Sequence, residues 1–216
     1  MGFLQDLLEF VLHLDRHLFD LCTQYGAWVY SILFAVVFCE TGFVVTPFLP
    51  GDSLLFAVGS LAAIHALDLP SSLVLLILAA VLGDTMNYWI GNYVGPRIFN
   101  KEKSRLLNRE YLVRTNQFYE RHGGKTIIIA RFLPIIRTFA PFVAGIGHMR
   151  YRRFLMFNFV GGAAWVVLFI SAGYFFGSVP FVKNNFSLVI IALILIPGIP
   201  SLVEIIRMQL RKRKAN

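Results

Sequence analysis

Charged side chains are scarce in this sequence. They make up 15% of its 216 residues, against about 25% in an average soluble domain, while 57% of the residues are hydrophobic. The excess apolar surface must therefore face something other than water. The length suits either one soluble domain or about four to six membrane spans with short loops, and only the second fits the composition. The sequence predicts an all-α polytopic membrane protein that forms a single membrane domain, 1–216.

Cysteine is nearly absent. The two cysteines, Cys22 and Cys39, form no CxxC pair and have no spacing typical of a disulfide framework. His13 and His17 stand four residues apart, but no third ligand follows at a spacing that would complete a metal site. The sequence therefore predicts no metal site and no cofactor.

The N-terminus has no basic region of the kind that opens a cleavable signal peptide. Its first 24 residues carry four acids against the single Arg16. Polar residues recur there at spacings of three and four, opposite a row of leucines. This pattern predicts an amphipathic helix at 1–24 that lies on the membrane or on the protein and is too polar to span.

Basic residues are clustered between the apolar runs. Eight of the 20 lysines and arginines fall in 97–125, three in 150–153 and five in 207–214. This placement follows the positive-inside rule and puts the C-terminus in the cytoplasm. A nucleic-acid surface would instead need a basic stripe on a soluble fold, so we expect no nucleic-acid partner.

The first apolar run is broken before it can cross a membrane again. It extends over 26–45, with Glu40 near its end, and the apolar stretch at 53–63 that follows the break is too short for a core of about 30 Å. The break contains residues that stop helices, namely Pro47, Pro50 and Gly51. We therefore predict a re-entrant half-helix near 46–63.

A second break of the same kind is predicted near 131–149, at Pro134 and Pro141. The remaining predicted segments are a span at 71–95, a basic cytoplasmic segment at 97–125, a span at 154–176, a last span at 186–206 and a basic cytoplasmic tail at 207–216. The three tryptophans of the chain, Trp28, Trp89 and Trp165, need no more than interface anchoring or packing to explain them.

The positive-inside rule orients the two halves in opposite directions. The first re-entrant element then enters from outside and the second from the cytoplasm, so 26–95 and 126–177 form an inverted repeat. A short echo supports this, because Phe56-Ala-Val-Gly59 resembles Phe142-Val-Ala-Gly145. Broken segments at matching positions of inverted halves point to a binding site at the membrane midplane.

Four charges lie where a bilayer makes them costly: Glu40, Asp52, Arg131 and Arg137. Each costs roughly 2.5–3.5 kcal/mol at a helix centre, so we expect them to meet. They could form a structural lock or line a wet cavity that handles a charged substrate. We favour the cavity, because irregular backbone at depth is tolerated where it is buried or lines water. A structural ion pair, moreover, can be replaced by apolar packing at little cost.

The arginines suggest the substrate. Arg131 and Arg137 flank Pro134, and a guanidinium group suits bidentate binding of phosphate. A half-helix that begins after Pro50 or Pro141 would add free N–H groups. Accessory candidates are Asp84 and the hydroxyls of Thr46, Ser53 and Thr138.

The acids suggest proton coupling. Glu40 and Asp52 are expected to neutralise the arginines in the empty site. They would take up protons when phosphate displaces them, because a carboxylate that loses its partner in a low-dielectric cavity binds protons more readily.

Five stretches carry a family resemblance: Phe38-Cys-Glu-Thr-Gly42, Thr46-Pro-Phe-Leu-Pro-Gly-Asp-Ser53, Gly83-Asp84, His122-Gly-Gly-Lys125 and Ala130-Arg-Phe-Leu-Pro-Ile-Ile-Arg-Thr-Phe-Ala-Pro-Phe-Val-Ala-Gly145. Together they closely resemble the DedA family, whose members carry a VTT domain. The resemblance implies a bacterial inner-membrane protein with two opposed re-entrant elements. Its functional acids would be Glu40 and Asp52, and its functional arginines Arg131 and Arg137. It also implies a flippase that returns undecaprenyl phosphate to the cytoplasmic leaflet and depends on the proton motive force.

Other functions are weighed against this one. A phospholipid flippase or scramblase would use the same site, and a proton-coupled cation antiporter would bind its cation through Glu40, Asp52 and Asp84, although two arginines would repel it. A membrane phosphatase would need a nucleophile with its base or a metal cluster. The hydrophobic regions offer neither, and His148 is the only histidine near the second break, so we expect no enzyme. The sequence leaves the oligomeric state open.

Overall fold

The computed structural model describes residues 26–43, 51–99, 125–131 and 134–177, and also positions 179, 180, 182, 188, 189, 191 and 192. The regular structure of this part of the chain is entirely helical, which confirms the predicted all-α class for these residues. Its six helices are α1 (Trp28–Gly42), α2 (Gly51–Ala63), α3 (Leu69–Phe99), α4 (Lys125–Arg131), α5 (Pro134–Ile146) and α6 (Tyr151–Phe176).

Two helices are long and apolar enough to cross a membrane. These are the 26 residues Leu69–Val94 of α3 and the 26 residues of α6, each about 39 Å long against a hydrocarbon core of about 30 Å. Their exposed faces carry large apolar side chains, namely Val74, Leu78, Leu82, Val160, Val167 and Leu168. Such faces suit contact with lipid.

The other apolar helices are shorter. α1 has 15 residues, and α2 and α5 have 13 each, so α2 and α5 measure about 20 Å. Their re-entrant path stays a prediction. The helix predicted at 1–24, the basic stretch 100–124 and the tail 207–216 lie outside the described residues, as does most of the last span.

α3 begins at a capped end. The exposed Asp68 precedes it, and its Oδ2 accepts a hydrogen bond of 2.9 Å from the Ser71 N–H, the pairing by which an aspartate N-cap satisfies a free helix donor. Hydrogen bonding from Ser71 also holds the pKa of the Asp68 carboxyl below its ordinary value.

The main core lies between α1, α2, α3 and α6. Its largest members include Leu33, Leu55, Leu76, Trp165 and Ile170, all at most 1% exposed. A second, smaller cluster surrounds Tyr88 on α3, whose hydroxyl donates to the Met149 carbonyl and whose ring stacks on Phe154.

α2 packs along α6 at very close range. A Cβ added to Gly59 would lie 2.1 Å from the Ile170 carbonyl oxygen, and one added to Gly173 would lie 2.0 Å from the Phe56 carbonyl oxygen. Both obstacles are backbone atoms, which cannot turn aside. Glycine is therefore required at both crossings.

α5 packs along α3 through an equivalent pair of contacts. A Cβ at Gly145 would lie 2.0 Å from the Tyr88 carbonyl oxygen, and one at Gly91 would lie 2.1 Å from the Phe142 carbonyl oxygen. The echo noted in the sequence, a phenylalanine three residues before a glycine, thus makes the same type of contact in α2 and in α5.

Candidate functional site

Arg137 lies at the centre of a buried ion cluster formed by three helices. It projects from the first turn of α5 and pairs with Glu40 in the last turn of α1 and with Asp52 in the first turn of α2. The bond from its Nη1 to Asp52 Oδ1 measures 2.6 Å. The side chain of Glu40 is fully buried, while those of Arg137 and Asp52 are 10% and 13% exposed. The two short apolar helices α2 and α5 therefore meet through an ion pair.

Trp165 of α6 forms one wall of this cluster. Its indole N–H donates a hydrogen bond of 2.8 Å to Asp52 Oδ1, the oxygen that also accepts from Arg137. The Arg137 Cζ lies 5.0 Å from the centre of the indole ring, and the Arg131 Cζ lies 5.7 Å from it. One aromatic ring thus holds both guanidinium groups at cation–π distance.

Arg131 has partners of its own. It is the last residue of α4, it forms an ion pair with Asp84 of α3, and its Nη2 donates to Asn158 Oδ1 of α6 at 2.7 Å. The Asn158 amide in turn donates to the Val81 carbonyl at 3.0 Å. Arg131, Asp84 and Asn158 are each at most 4% exposed, so the pair of Arg131 and Asp84 is as buried as the first ion pair.

The expected grouping of the four charges needs a correction. Glu40 and Asp52 neutralise Arg137, whereas Arg131 pairs with Asp84. Arg131 is the last residue of α4, which packs against α5 and α6, and its guanidinium group contacts Asp84 of α3. The described site therefore contains three carboxylates and two guanidinium groups. Asp84, an accessory candidate in the sequence, is a direct member of the ion cluster.

Glycines lie against the charged side chains, and one of them is required for Glu40. A Cβ on Gly51, the first residue of α2, would fall 1.7 Å from Glu40 Oε2, so that the carboxylate lies directly against the backbone of α2. On α6, Gly161 and Gly162 face Arg131, with their hypothetical Cβ atoms 3.7 Å from its Cδ and 3.5 Å from its Nη1. Gly51 thus does more than break a helix: it admits Glu40.

A buried amide ties α1 to α5 beside the cluster. The Asn87 Nδ2 donates to the Thr41 carbonyl at 3.2 Å and to the Thr138 carbonyl at 2.8 Å. Among the described side chains, Ser53 Oγ and Asn87 Oδ1 are buried polar atoms without a hydrogen-bond partner. Such atoms are costly in an apolar interior.

The predicted prolines have different outcomes. Thr46, Pro47 and Pro50 lie outside the described residues. Pro134 opens α5, a position that suits proline because the N–H it lacks would have no partner there.

Pro141 was expected to break the chain, and this prediction was wrong. α5 continues through the buried Pro141 to Ile146. The proline only removes the N–H that would bond to the Arg137 carbonyl four residues earlier. The first N–H groups of α5 consequently follow Pro134, in the turn that carries Arg137.

Sequence reasoning missed Trp165 and Asn158. Trp165 was explained by anchoring or packing, and Asn158 was not singled out. A signal for Asn158 was available, because it is an uncharged polar residue inside the apolar span predicted at 154–176. No comparable signal separates Trp165 from the other two tryptophans.

A phenylalanine at position 165 should separate the two contributions of the indole. Trp165→Phe keeps an aromatic ring for the arginines and removes the donor to Asp52, so we expect the free energy of unfolding to fall by about 1–3 kcal/mol. Thermal unfolding in detergent, followed by circular dichroism, measures this. The control is Trp89→Phe, since the Trp89 indole is 51% exposed; equal losses in both variants would show that the hydrogen bond contributes nothing.

Helices of membrane length around a buried ion cluster define a helical membrane protein, and comparison with known proteins gives its family. Residues 49–175 match the VTT domain. The chain belongs to the DedA family of VTT-domain membrane proteins.

Three relatives illustrate the range of similarity. The chain is 53% identical to Protein DedA of Escherichia coli K12 over 96% of its own length and 95% of the relative. It is 44% identical to an uncharacterized membrane protein of Mycobacterium tuberculosis, over 88% and 85% of the two chains. It is 36% identical to the inner membrane protein YghB of Escherichia coli K12, over 78% and 77%. No solved structure matches the chain.

Proposed function

We propose that this protein is a lipid-phosphate transporter that returns undecaprenyl phosphate to the cytoplasmic leaflet. The observation that carries the proposal is the pair of arginines, Arg131 and Arg137, whose guanidinium groups both lie within 6 Å of the Trp165 ring in an apolar helical protein. Intramembrane charges of this kind are a functional site by default.

The chemistry of the cluster suits a phosphate headgroup. Guanidinium groups bind phosphate oxygens in a bidentate manner, and each arginine here already holds carboxylate oxygens that a phosphate resembles. The free N–H groups at the start of α5 add further donors. A long prenyl tail needs no pocket, because it can stay among the lipids while the headgroup enters.

The proposed transport path uses two opposed re-entrant elements, α2 and α5, related as an inverted repeat. The equivalent glycine contacts support this, since Gly59 of α2 meets α6 as Gly145 of α5 meets α3. A binding site between two such elements is the arrangement typical of secondary transporters. The ion pair between Arg137 and Asp52 links the two elements where the headgroup would bind.

Proton coupling is part of the proposal. The cluster has one more carboxylate than guanidinium groups, and an arriving phosphate adds more negative charge, so Glu40 and Asp52 are placed to take up protons as it binds. The transporter would lie in a bacterial inner membrane, with its C-terminus in the cytoplasm, and use the proton motive force.

The excess carboxylate also favours a second candidate, a proton-coupled cation antiporter. In that case Glu40, Asp52 and Asp84 would hold the cation and the arginines would modulate its affinity. A phospholipid flippase or scramblase would use the first mechanism with another lipid.

Reconstitution distinguishes these functions. Purified protein in liposomes with labelled undecaprenyl phosphate is expected to move the lipid between leaflets, faster with an imposed proton gradient than without it. Equal movement of labelled phosphatidylglycerol would identify the phospholipid flippase instead. Cation flux without lipid movement would identify the antiporter, and release of free phosphate would identify a phosphatase.

A further inference from the structure

Arg131 is held by an acid and an amide on different helices. Asp84 of α3 supplies the charge, and Asn158 of α6 supplies a neutral oxygen 2.7 Å from Nη2. Since Asp84 is 4% exposed and Asn158 is fully buried, water is largely excluded from both contacts. Electrostatic interactions are correspondingly strong there.

The two contacts with Arg131 differ in how firmly they are fixed. Asn158 is oriented by its own hydrogen bond to the Val81 carbonyl. Its amide oxygen therefore stays directed at Arg131 even when the Asp84 carboxylate moves away. Asp84 holds Arg131 by charge. An anion that reaches Arg131 therefore competes with Asp84 and leaves the contact with Asn158 in place.

The charges of the cluster indicate the same competition between Asp84 and an anion for Arg131. With Asp84 included, three carboxylates face two guanidinium groups, so the cluster opposes the entry of an anion until a carboxylate is displaced or protonated. At Arg131 the carboxylate that repels an anion is Asp84. At Arg137 the carboxylates that repel it are Glu40 and Asp52.

We propose that Asp84 is a further residue of the headgroup site: it is the counter-ion that an anionic headgroup displaces from Arg131, and Asn158 is the positioning residue that keeps the guanidinium group aimed during the exchange. This inference rests on the proposed function and deepens it. It implies that Asp84 weakens headgroup binding and thereby speeds release.

Asp84→Asn tests the counter-ion role. The variant keeps the shape of the side chain and removes its charge, so the affinity for an anionic headgroup should rise about tenfold, the effect of one charged hydrogen bond. Leaflet transfer should become slower because release is slower. The probe is farnesyl monophosphate, titrated by calorimetry into the whole protein in detergent, with farnesol and inorganic phosphate as parallel probes. Asp68→Asn, on the exposed end of the same helix, is the control and should bind as the wild type does.

Asn158→Asp tests the same site independently. It adds a charge beside Arg131 and should weaken binding of farnesyl monophosphate about tenfold. Thermal unfolding shows whether Asp84→Asn folds. If it does not, Asn158→Asp tests the headgroup site by itself, and an unchanged affinity for farnesyl monophosphate in this variant would overturn the inference.

The other outcomes separate this inference from the proposed function. If the wild type binds farnesyl monophosphate but a folded Asp84→Asn variant binds it equally or more weakly, Asp84 is a structural partner only and the inference fails while the proposed function stands. If the wild type binds neither phosphate probe, both fail. Tighter binding of inorganic phosphate alone would support the role of Asp84 and overturn the lipid as its ligand.

Discussion

Replacement of Arg137 by alanine is expected to abolish lipid transfer and to destabilise the protein by about 3–5 kcal/mol, the cost of breaking a buried ion pair. The reason is that Arg137 holds Glu40 and Asp52 at once. Without it, two buried carboxylates lose their shared partner. Leaflet transfer of labelled undecaprenyl phosphate and thermal unfolding measure the two effects.

Two further variants serve as controls. One tests whether a positive charge alone suffices at position 137, and the other tests whether the loss of an arginine elsewhere has the same effect. Arg137→Lys keeps the charge but loses the planar fork that contacts both acids, so we expect a folded protein with strongly reduced transfer. Arg150→Ala removes an exposed arginine and should leave both properties unchanged. Full transfer by Arg137→Ala would contradict the proposed headgroup site.

Replacement of Gly173 by alanine is expected to have the second large effect, a loss of about 3 kcal/mol or more in stability. A single Cβ there would lie 2.0 Å from the Phe56 carbonyl oxygen, so α2 and α6 would have to move apart. The yield of monodisperse protein and its thermal unfolding in detergent provide the measurement.

The same helix provides the control for this substitution. At Gly161 the nearest atom to an added Cβ is 3.4 Å away, an ordinary contact, so Gly161→Ala should unfold close to the wild-type temperature. Gly145→Ala should reproduce the loss seen at position 173, because the Tyr88 carbonyl oxygen lies 2.0 Å from its added Cβ. Equal stability of the variants at 173 and 161 would show that α2 and α6 do not approach as described.

The glycine crossings also position the ion cluster. Phe56 lies one helical turn after Asp52, and Gly173 lies about two turns after Trp165, so the contact between Phe56 and Gly173 sets the distance between the helices near the bond from Trp165 to Asp52. A wider separation at the crossing would lengthen that bond. Stability and site geometry therefore depend on the same glycines.

The sequence by itself determined the class of the protein. Its low charge and long apolar runs required a helical membrane protein. The insertion cost of a charge depends on the local run of residues, so Glu40, Asp52, Arg131 and Arg137 could be identified without knowledge of the fold.

Only the tertiary structure decided which charges pair. Asp84 is 47 positions from Arg131, and Asp52 is 85 from Arg137, so no local pattern fixes either contact; both follow from which helices cross. The continuation of α5 through Pro141 and the contact of Trp165 with both arginines were likewise settled by packing. Pairing energy depends on distance in space, and close helix crossings at glycines far apart in the chain set those distances.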